Sequence, residues 1–167
     1  NAIGTNFTGT ADLGNGAHGV RIQEGDDNTV GGMGIALADP RNTIAFNGGD
    51  GVRVDVGVGN SIRANSIYRN QGLGIDLGAD GVSRPGGGRS TANRGQNFPV
   101  LNSAEVVDGG LVISGGLTAA PSRTYRLDFF SNTQCDPSGF GEGERFLGPF
   151  EVPTDARSSV EPVVPSA

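Results

Sequence analysis

Three stretches decide how this chain folds: Gly16-Ala-His-Gly-Val-Arg-Ile22, Gly48-Gly-Asp-Gly-Val-Arg-Val54 and the looser Gln71-Gly-Leu-Gly-Ile-Asp-Leu77. Each sets a glycine before a short alternation of apolar and polar side chains, the period-2 signature of a half-buried strand. Between them recur Asn-opened units with a β-branched residue: Asn28-Thr-Val30, Asn42-Thr-Ile44, Asn60-Ser-Ile62 and Asn65-Ser-Ile67. Asn1-Ala-Ile3 matches the same pattern. A chain that repeats a strand and a turn folds by stacking, because no single copy can bury its own apolar row.

The repeat has a length. From Gly51 to Gly74 the step is 23 residues, and it holds three short strand-like pieces separated by Gly and Asn, residues that tolerate the positive φ of sharp corners. Three strands per step with tight corners predict a right-handed parallel β-helix of about three coils, with strands pairing one coil along at roughly 4.8 Å. From Gly19 to Gly51 the step is 32 residues, and the excess fits in a loop over residues 31–40. A second outgrowth is expected over residues 4–15. Val20, Val52 and Ile75 are expected to form one row of a dry interior, and the unit-opening asparagines Asn28 and Asn60 a ladder of side-chain hydrogen bonds.

The pattern breaks after Leu77. Residues 81–97 are polar and glycine-rich, a linker or a loop covering the end of the coils. Four strand-like runs follow, at residues 98–107, 111–117, 124–130 and 145–152, with Asp108-Gly-Gly110 as a hairpin signal. The expected organisation is therefore all-β: coils over 1–80, linker over 81–97, a small antiparallel β-sandwich-like module over 98–156, and an extended tail over 157–167. Asn1 begins inside a coil without a charged-then-apolar leader, and the last module is short of strands. The chain is thus expected to be a mature product or a fragment, or a unit whose open β edges are closed by self-association.

Composition narrows the function classes. Only 35% of residues are hydrophobic and 30 are glycine, which alone would suit disorder, but the glycines recur at fixed places beside β-branched residues. The net charge is −6, and all 12 basic residues are arginine. No lysine-rich tract or basic-aromatic surface is present, so nucleic acid and anionic membranes are poor partners. No apolar run is long enough to span a bilayer. Cys135, the single cysteine, has no internal disulfide partner.

The order of Gly72-Leu-Gly-Ile-Asp-Leu-Gly78, Gln96-Asn-Phe-Pro-Val-Leu101, Tyr125-Arg-Leu-Asp-Phe-Phe-Ser-Asn132 and Cys135-Asp-Pro-Ser-Gly-Phe-Gly-Glu-Gly143 resembles bacterial secreted or cell-surface proteins with right-handed parallel β-helix repeats. That resemblance implies an extracytoplasmic, modular protein, in some cases an adhesin.

By alignment Arg21, Arg53 and Asp76 share one register position and form a column, with Asp50 and Asp55 beside Arg53. Such a cluster suits two chemistries. Carboxylates on one strand face serve a glycoside hydrolase, and arginine beside an acid serves a polysaccharide lyase or a sugar-binding stripe. Charged side chains are equally what an exposed strand face needs for solubility and against sideways pairing, and this is the expected reading. His18, the only histidine, is expected at the surface. No His/Cys set has zinc spacing. Asp136, Glu142 and Glu144 are the candidate oxygen ligands for calcium, without an EF-hand spacing; no other cofactor is implied. The expected function is a non-enzymatic structural or interaction protein, secreted or on the cell surface, assembling into a fibre or acting as an adhesin. The alternatives are a β-helical lyase or hydrolase, or a module that binds an extracellular glycan.

Overall fold

A computed structural model describes residues 1–32, 41–85, 91–108 and 110–154. The loop expected over 31–40, the hairpin glycine at 109 and the expected tail over 157–167 lie wholly or largely outside them. The chain is all-β, with parallel sheets in its first half and antiparallel pairs in its second.

Eight short strands make the first half: β1 (Ala2–Ile3), β2 (Val20–Ile22), β3 (Thr29–Gly31), β4 (Thr43–Ala45), β5 (Val52–Val54), β6 (Ser61–Arg63), β7 (Ser66–Tyr68) and β8 (Ile75–Leu77). They form three parallel sheets, β1-β4-β7, β2-β5-β8 and β3-β6, which the chain visits in fixed rotation. Register follows the repeat. Val20, Val52 and Ile75 are partners, as are Arg21, Arg53 and Asp76, and Ile22, Val54 and Leu77. The 32-residue and 23-residue steps both preserve it, because the extra residues of the longer step leave between strands and not within them.

Inward residues form two clusters, Ile44, Val52 and Ile67 in one and Ile22, Val54 and Ala92 in the other, with Val30 and Ile62 packed on both. Val52 is fully buried and Val20 half-buried, but Ile75 is 44% exposed. The expected dry row therefore stops one repeat early. Ile75 pairs correctly with Val52, yet it belongs to the last repeat, where no further apolar layer covers it.

The glycine that opens each core is required by close approach. A Cβ at Gly19 would lie 2.4 Å from Ile44 Cγ2 and 2.7 Å from the Gly51 carbonyl. One at Gly51 would lie 2.5 Å from Ile67 Cγ2 and 2.8 Å from the Gly74 carbonyl. Successive repeats are thus pressed together where the backbone carries no side chain.

Asparagine ladders tie the corners. Asn28 donates its backbone N–H and Nδ2 to Asn60 Oδ1 at 3.0 and 2.8 Å. Asn42 donates to Asn65 Oδ1 in the same way, and Asn1 donates its Nδ2 to Asn42 Oδ1 at 2.7 Å. A third ladder runs from Asn15 to Asn47 to Asn70, with Asn47 fully buried. Each rung satisfies a corner N–H that the strands leave unpaired.

Part of the downstream end is met by the chain itself, beyond β6 and β7, whereas β8 remains an edge. In the 3-10 helix Ala92–Gly95, Asn93 has φ 45°, and its Oδ1 accepts the Asn60 backbone N–H at 2.9 Å as a third-repeat asparagine would. Its Nδ2 donates to the Asn60 carbonyl at 2.7 Å. On the β1-β4-β7 sheet, Gly143 bridges antiparallel to Ile67, and Glu142 takes the next ladder position beyond Asn70.

The remaining strands are β9 (Val100–Val107), β10 (Gly110–Gly116), β11 (Thr124–Ser131) and β12 (Arg145–Pro153). They pair as β9-β10 and β11-β12, two separate antiparallel pairs. Every residue of β9 is exposed, so the first pair lacks the two buried faces of a sandwich. The second pair is anchored on the repeats: Asp128 Oδ2 accepts the Ala64 N–H at 3.0 Å, and Ser66 Oγ donates to the Glu144 carbonyl.

Candidate functional site

The column read from the sequence exists. Val52 and Val54 turn inward on β5, so Arg53 between them faces outward, with Arg21 before it and Asp76 after it. Asp55, just past β5, sits between the two arginines. Its Oδ2 accepts Arg21 Nε at 2.9 Å and Nη2 at 2.5 Å, and its Oδ1 accepts Arg53 Nε at 2.9 Å. The hydrogen bond from Arg21 is the largest influence on the Asp55 carboxyl, and with the Arg53 hydrogen bond and the charge of both arginines it outweighs the opposing effect of burial and holds the group below its usual range. Two guanidinium groups thus share one carboxylate at the surface.

Asp50 is 8% exposed and already engaged. Its Oδ1 accepts the Leu73 N–H at 2.8 Å, and its Oδ2 lies 3.1 Å from His18 Nδ1. The far ring nitrogen of His18, Nε2, is 3.4 Å from Arg53 Nη1. His18 Nδ1 also accepts the Asp50 backbone N–H at 3.0 Å, so both ring nitrogens are engaged. His18 is thus half-buried and held between Asp50 and Arg53, where the sequence suggested a surface side chain.

Asp76 departs most from expectation. It is 3% exposed, and its Oδ1 has no hydrogen-bond partner. Burial pushes its carboxyl above the ordinary value and the neighbouring Asp50 adds to this, while the Gly81 N–H and Arg53 pull it down. A carboxylate placed so is enclosed rather than offered to a substrate.

The five predicted residues therefore share one sheet face but do not flank a cleft. The opening at that face, about 490 Å³, is lined by Arg21 with Ile22, Gln23, Glu24 and Asn28, and of the five only Arg21 reaches it.

The candidate calcium ligands are not brought together. Glu142 is committed to Asn70, Glu144 Oε2 accepts the Thr133 N–H and Oγ1, and Asp136 Oδ1 accepts from Ser138. The Thr133 bonds hold Glu144 below its ordinary value, whereas burial pushes Glu142 up. Among the described residues no group of three or more His, Cys, Asp and Glu side chains is placed to hold a metal ion.

A second groove, of about 410 Å³, was not read from the sequence. It lies over the outward residues of β4 and β7, Thr43 and Ser66, between the loop carrying Phe7 and the start of β12. The alternation Ser66-Ile67-Tyr68 puts Ile67 inward, and Tyr68 lines the groove. The available signal was the coincidence of Phe7 in the first outgrowth with Tyr68 on the aligned strand.

No protein-family model matches the chain, and no curated protein matches it. No helix among the described residues is long and apolar enough to cross a membrane.

Proposed function

We propose that the chain is a non-enzymatic structural and interaction module, a short right-handed parallel β-helix partly covered at its downstream end by Asn93, Glu142 and Gly143. The carrying observation is the state of the candidate carboxylates. Asp55 is neutralised between Arg21 and Arg53, Asp50 is held by Leu73 and His18, and Asp76 is enclosed. A hydrolase needs an acid and a base on either side of a scissile bond, with one carboxyl group free to accept substrate. These groups are spent on the fold instead.

In this reading residues 1–80 are the coils, 81–97 their downstream cover, and 98–156 the antiparallel region that seats on them. A secreted or cell-surface location extends the resemblance of the repeat segments to bacterial proteins of that kind. Assembly into larger structures would use β1, β2 and β3, each of which has a ladder neighbour on one side only.

The test is incubation of the purified chain with acidic and neutral polysaccharides, reading new reducing ends and unsaturated-uronate absorbance. No release is expected from any of them. Release that Asp55→Asn or Asp76→Asn abolishes would replace this reading with the enzymatic one.

A further inference from the structure

We infer that the free edge of β9 is a docking surface for a second copy of this chain, the two β9 strands pairing antiparallel about a two-fold axis through Ala104. The inference does not rest on the scaffold reading, because β9 belongs to the antiparallel region and not to the coil ends β1, β2 and β3.

Exposure is the first observation. Among the described residues β9 has a ladder neighbour only in β10, and all eight of its residues are exposed, whereas β10 is buried or half-buried throughout. Four large apolar side chains lie on it, Val100, Leu101, Val106 and Val107, and Val106 is 78% exposed. Natural sheet edges are commonly guarded by lysine or proline, and β9 has neither; Glu105 is its one charge. A two-stranded ribbon is marginal by itself, and further strands are what stabilise it.

Self-complementarity is the second observation, and it identifies the occupant. The β9–β10 register passes over Asn102, a bulge that leaves Val100, Ser103, Glu105 and Val107 on one face and Leu101, Ala104 and Val106 on the other. Antiparallel neighbours set same-face residues opposite each other. A two-fold axis through Ala104 therefore sets Val100 against the partner's Val107, Leu101 against the partner's Val106 and Ser103 against the partner's Glu105, with Asn102 outside the pairing. All four apolar side chains gain an apolar neighbour, and the carboxylate meets a hydroxyl. Moving the axis by one residue destroys the match. Through Glu105 it opposes two carboxylates; through Ser103 it sets Val100 against the partner's Glu105 and leaves Val106 and Val107 unpaired. A second copy supplies this symmetry by construction.

Such an interface closes on itself. Each chain uses its one β9 edge, so the product is a four-stranded sheet in the order β10-β9-β9-β10 and a dimer instead of a fibre.

Sedimentation velocity of the full chain over a dilution series is expected to show a monomer–dimer equilibrium. Val106→Lys is expected to move its midpoint to about tenfold higher concentration or more, with the circular-dichroism spectrum unchanged because the side chain is exposed. Single cysteines in a Cys135→Ser background, which removes the exposed native thiol, test the register. Ala104→Cys sits on the axis, within disulfide reach of its copy, and is expected to cross-link on mild oxidation. Val106→Cys lies about 13 Å along the strand from its copy and is expected not to. A monomer at every concentration, a dimer unchanged by Val106→Lys, no cross-link at position 104, or an equal one at 106 would overturn the assignment. So would polymers that persist in Val106→Lys, which would place self-association at β1, β2 and β3 instead.

Discussion

Glu142 stands where a further asparagine would stand beyond Asn70. Its Oε1 accepts Asn70 Nδ2 at 2.8 Å and its Oε2 the Asn70 backbone N–H at 3.2 Å, repeating with a carboxylate the two bonds that Asn70 Oδ1 accepts from Asn47. A residue 72 positions away thus ends the ladder, and the corner N–H of the last repeat is not left without an acceptor.

Removing that acceptor should be costly. Glu142→Ala is expected to lower stability by about 1–3 kcal/mol, because Asn70 is buried and its backbone N–H loses its acceptor. Glu142→Gln keeps an oxygen in place and should cost less. Burial raises the folded-state pKa of Glu142, so its contribution is fully present below its unfolded-state pKa and is lost as pH rises through the folded-state value. Urea denaturation from acid to neutral pH should therefore show a smaller decline for Glu142→Gln than for the wild type.

Asp76 gives a gain instead of a loss. Its ionised form is buried with one oxygen unpartnered and Asp50 nearby, so at neutral pH it opposes folding. Here too the folded-state pKa is raised: stability is greatest at low pH and falls as Asp76 ionises. Asp76→Asn is expected to raise stability at pH 7 by about 1 kcal/mol and to flatten the pH dependence above the ordinary carboxylate range. The same denaturation series measures both.

The glycine column makes a position-dependent prediction. Gly51→Ala forces a Cβ to 2.5 Å from Ile67 Cγ2 and 2.8 Å from the Gly74 carbonyl, and should destabilise by about 1–3 kcal/mol or more. At Gly74, aligned with it one repeat on, a Cβ would meet only Glu142 atoms at 3.5 Å or beyond, and Gly74→Ala should be tolerated far better. Comparing their thermal midpoints checks the stacking directly. Equal losses would mean that the glycines serve local turns and not close approach.

The apolar row behaves similarly. Ile44 is fully buried among Val52 and Ile67, so Ile44→Ala should cost about 2–5 kcal/mol. Ile75→Ala, at a 44% exposed position of the last repeat, should cost under about 1 kcal/mol. Chemical denaturation of the two variants distinguishes the interior from its uncovered end.

These contrasts mark what could be read from residues alone. Parallel register was legible because Gly19, Gly51 and Gly74 recur with the same alternation after them, and a one-residue slip would turn Val52 and Val54 outward. The ladder through Asn15, Asn47 and Asn70 was equally available, since those asparagines keep the 32-residue and 23-residue steps of the glycines, but no β-branched unit follows them to draw attention. The caps were not legible. Asn93 lies in a glycine-rich stretch and Glu142 in a loop of the antiparallel region, and only the folded chain brings them to the last repeat. The column Arg21, Arg53 and Asp76 was correct as register and incomplete as chemistry. Sequence cannot tell that Asp55 bridges both arginines or that Asp76 is enclosed, because both depend on where the following loops run.

Amide hydrogen exchange tests the stacked and self-capped repeat most directly. The backbone N–H groups of Asn47, Asn60 and Asn70 each donate to the side chain of the next position, Asn70, Asn93 and Glu142. All three should be strongly protected in the wild type. Glu142→Ala should selectively release Asn70, and Asn93→Ala should release Asn60. Exchange of these amides at unprotected rates in the wild type would contradict the account.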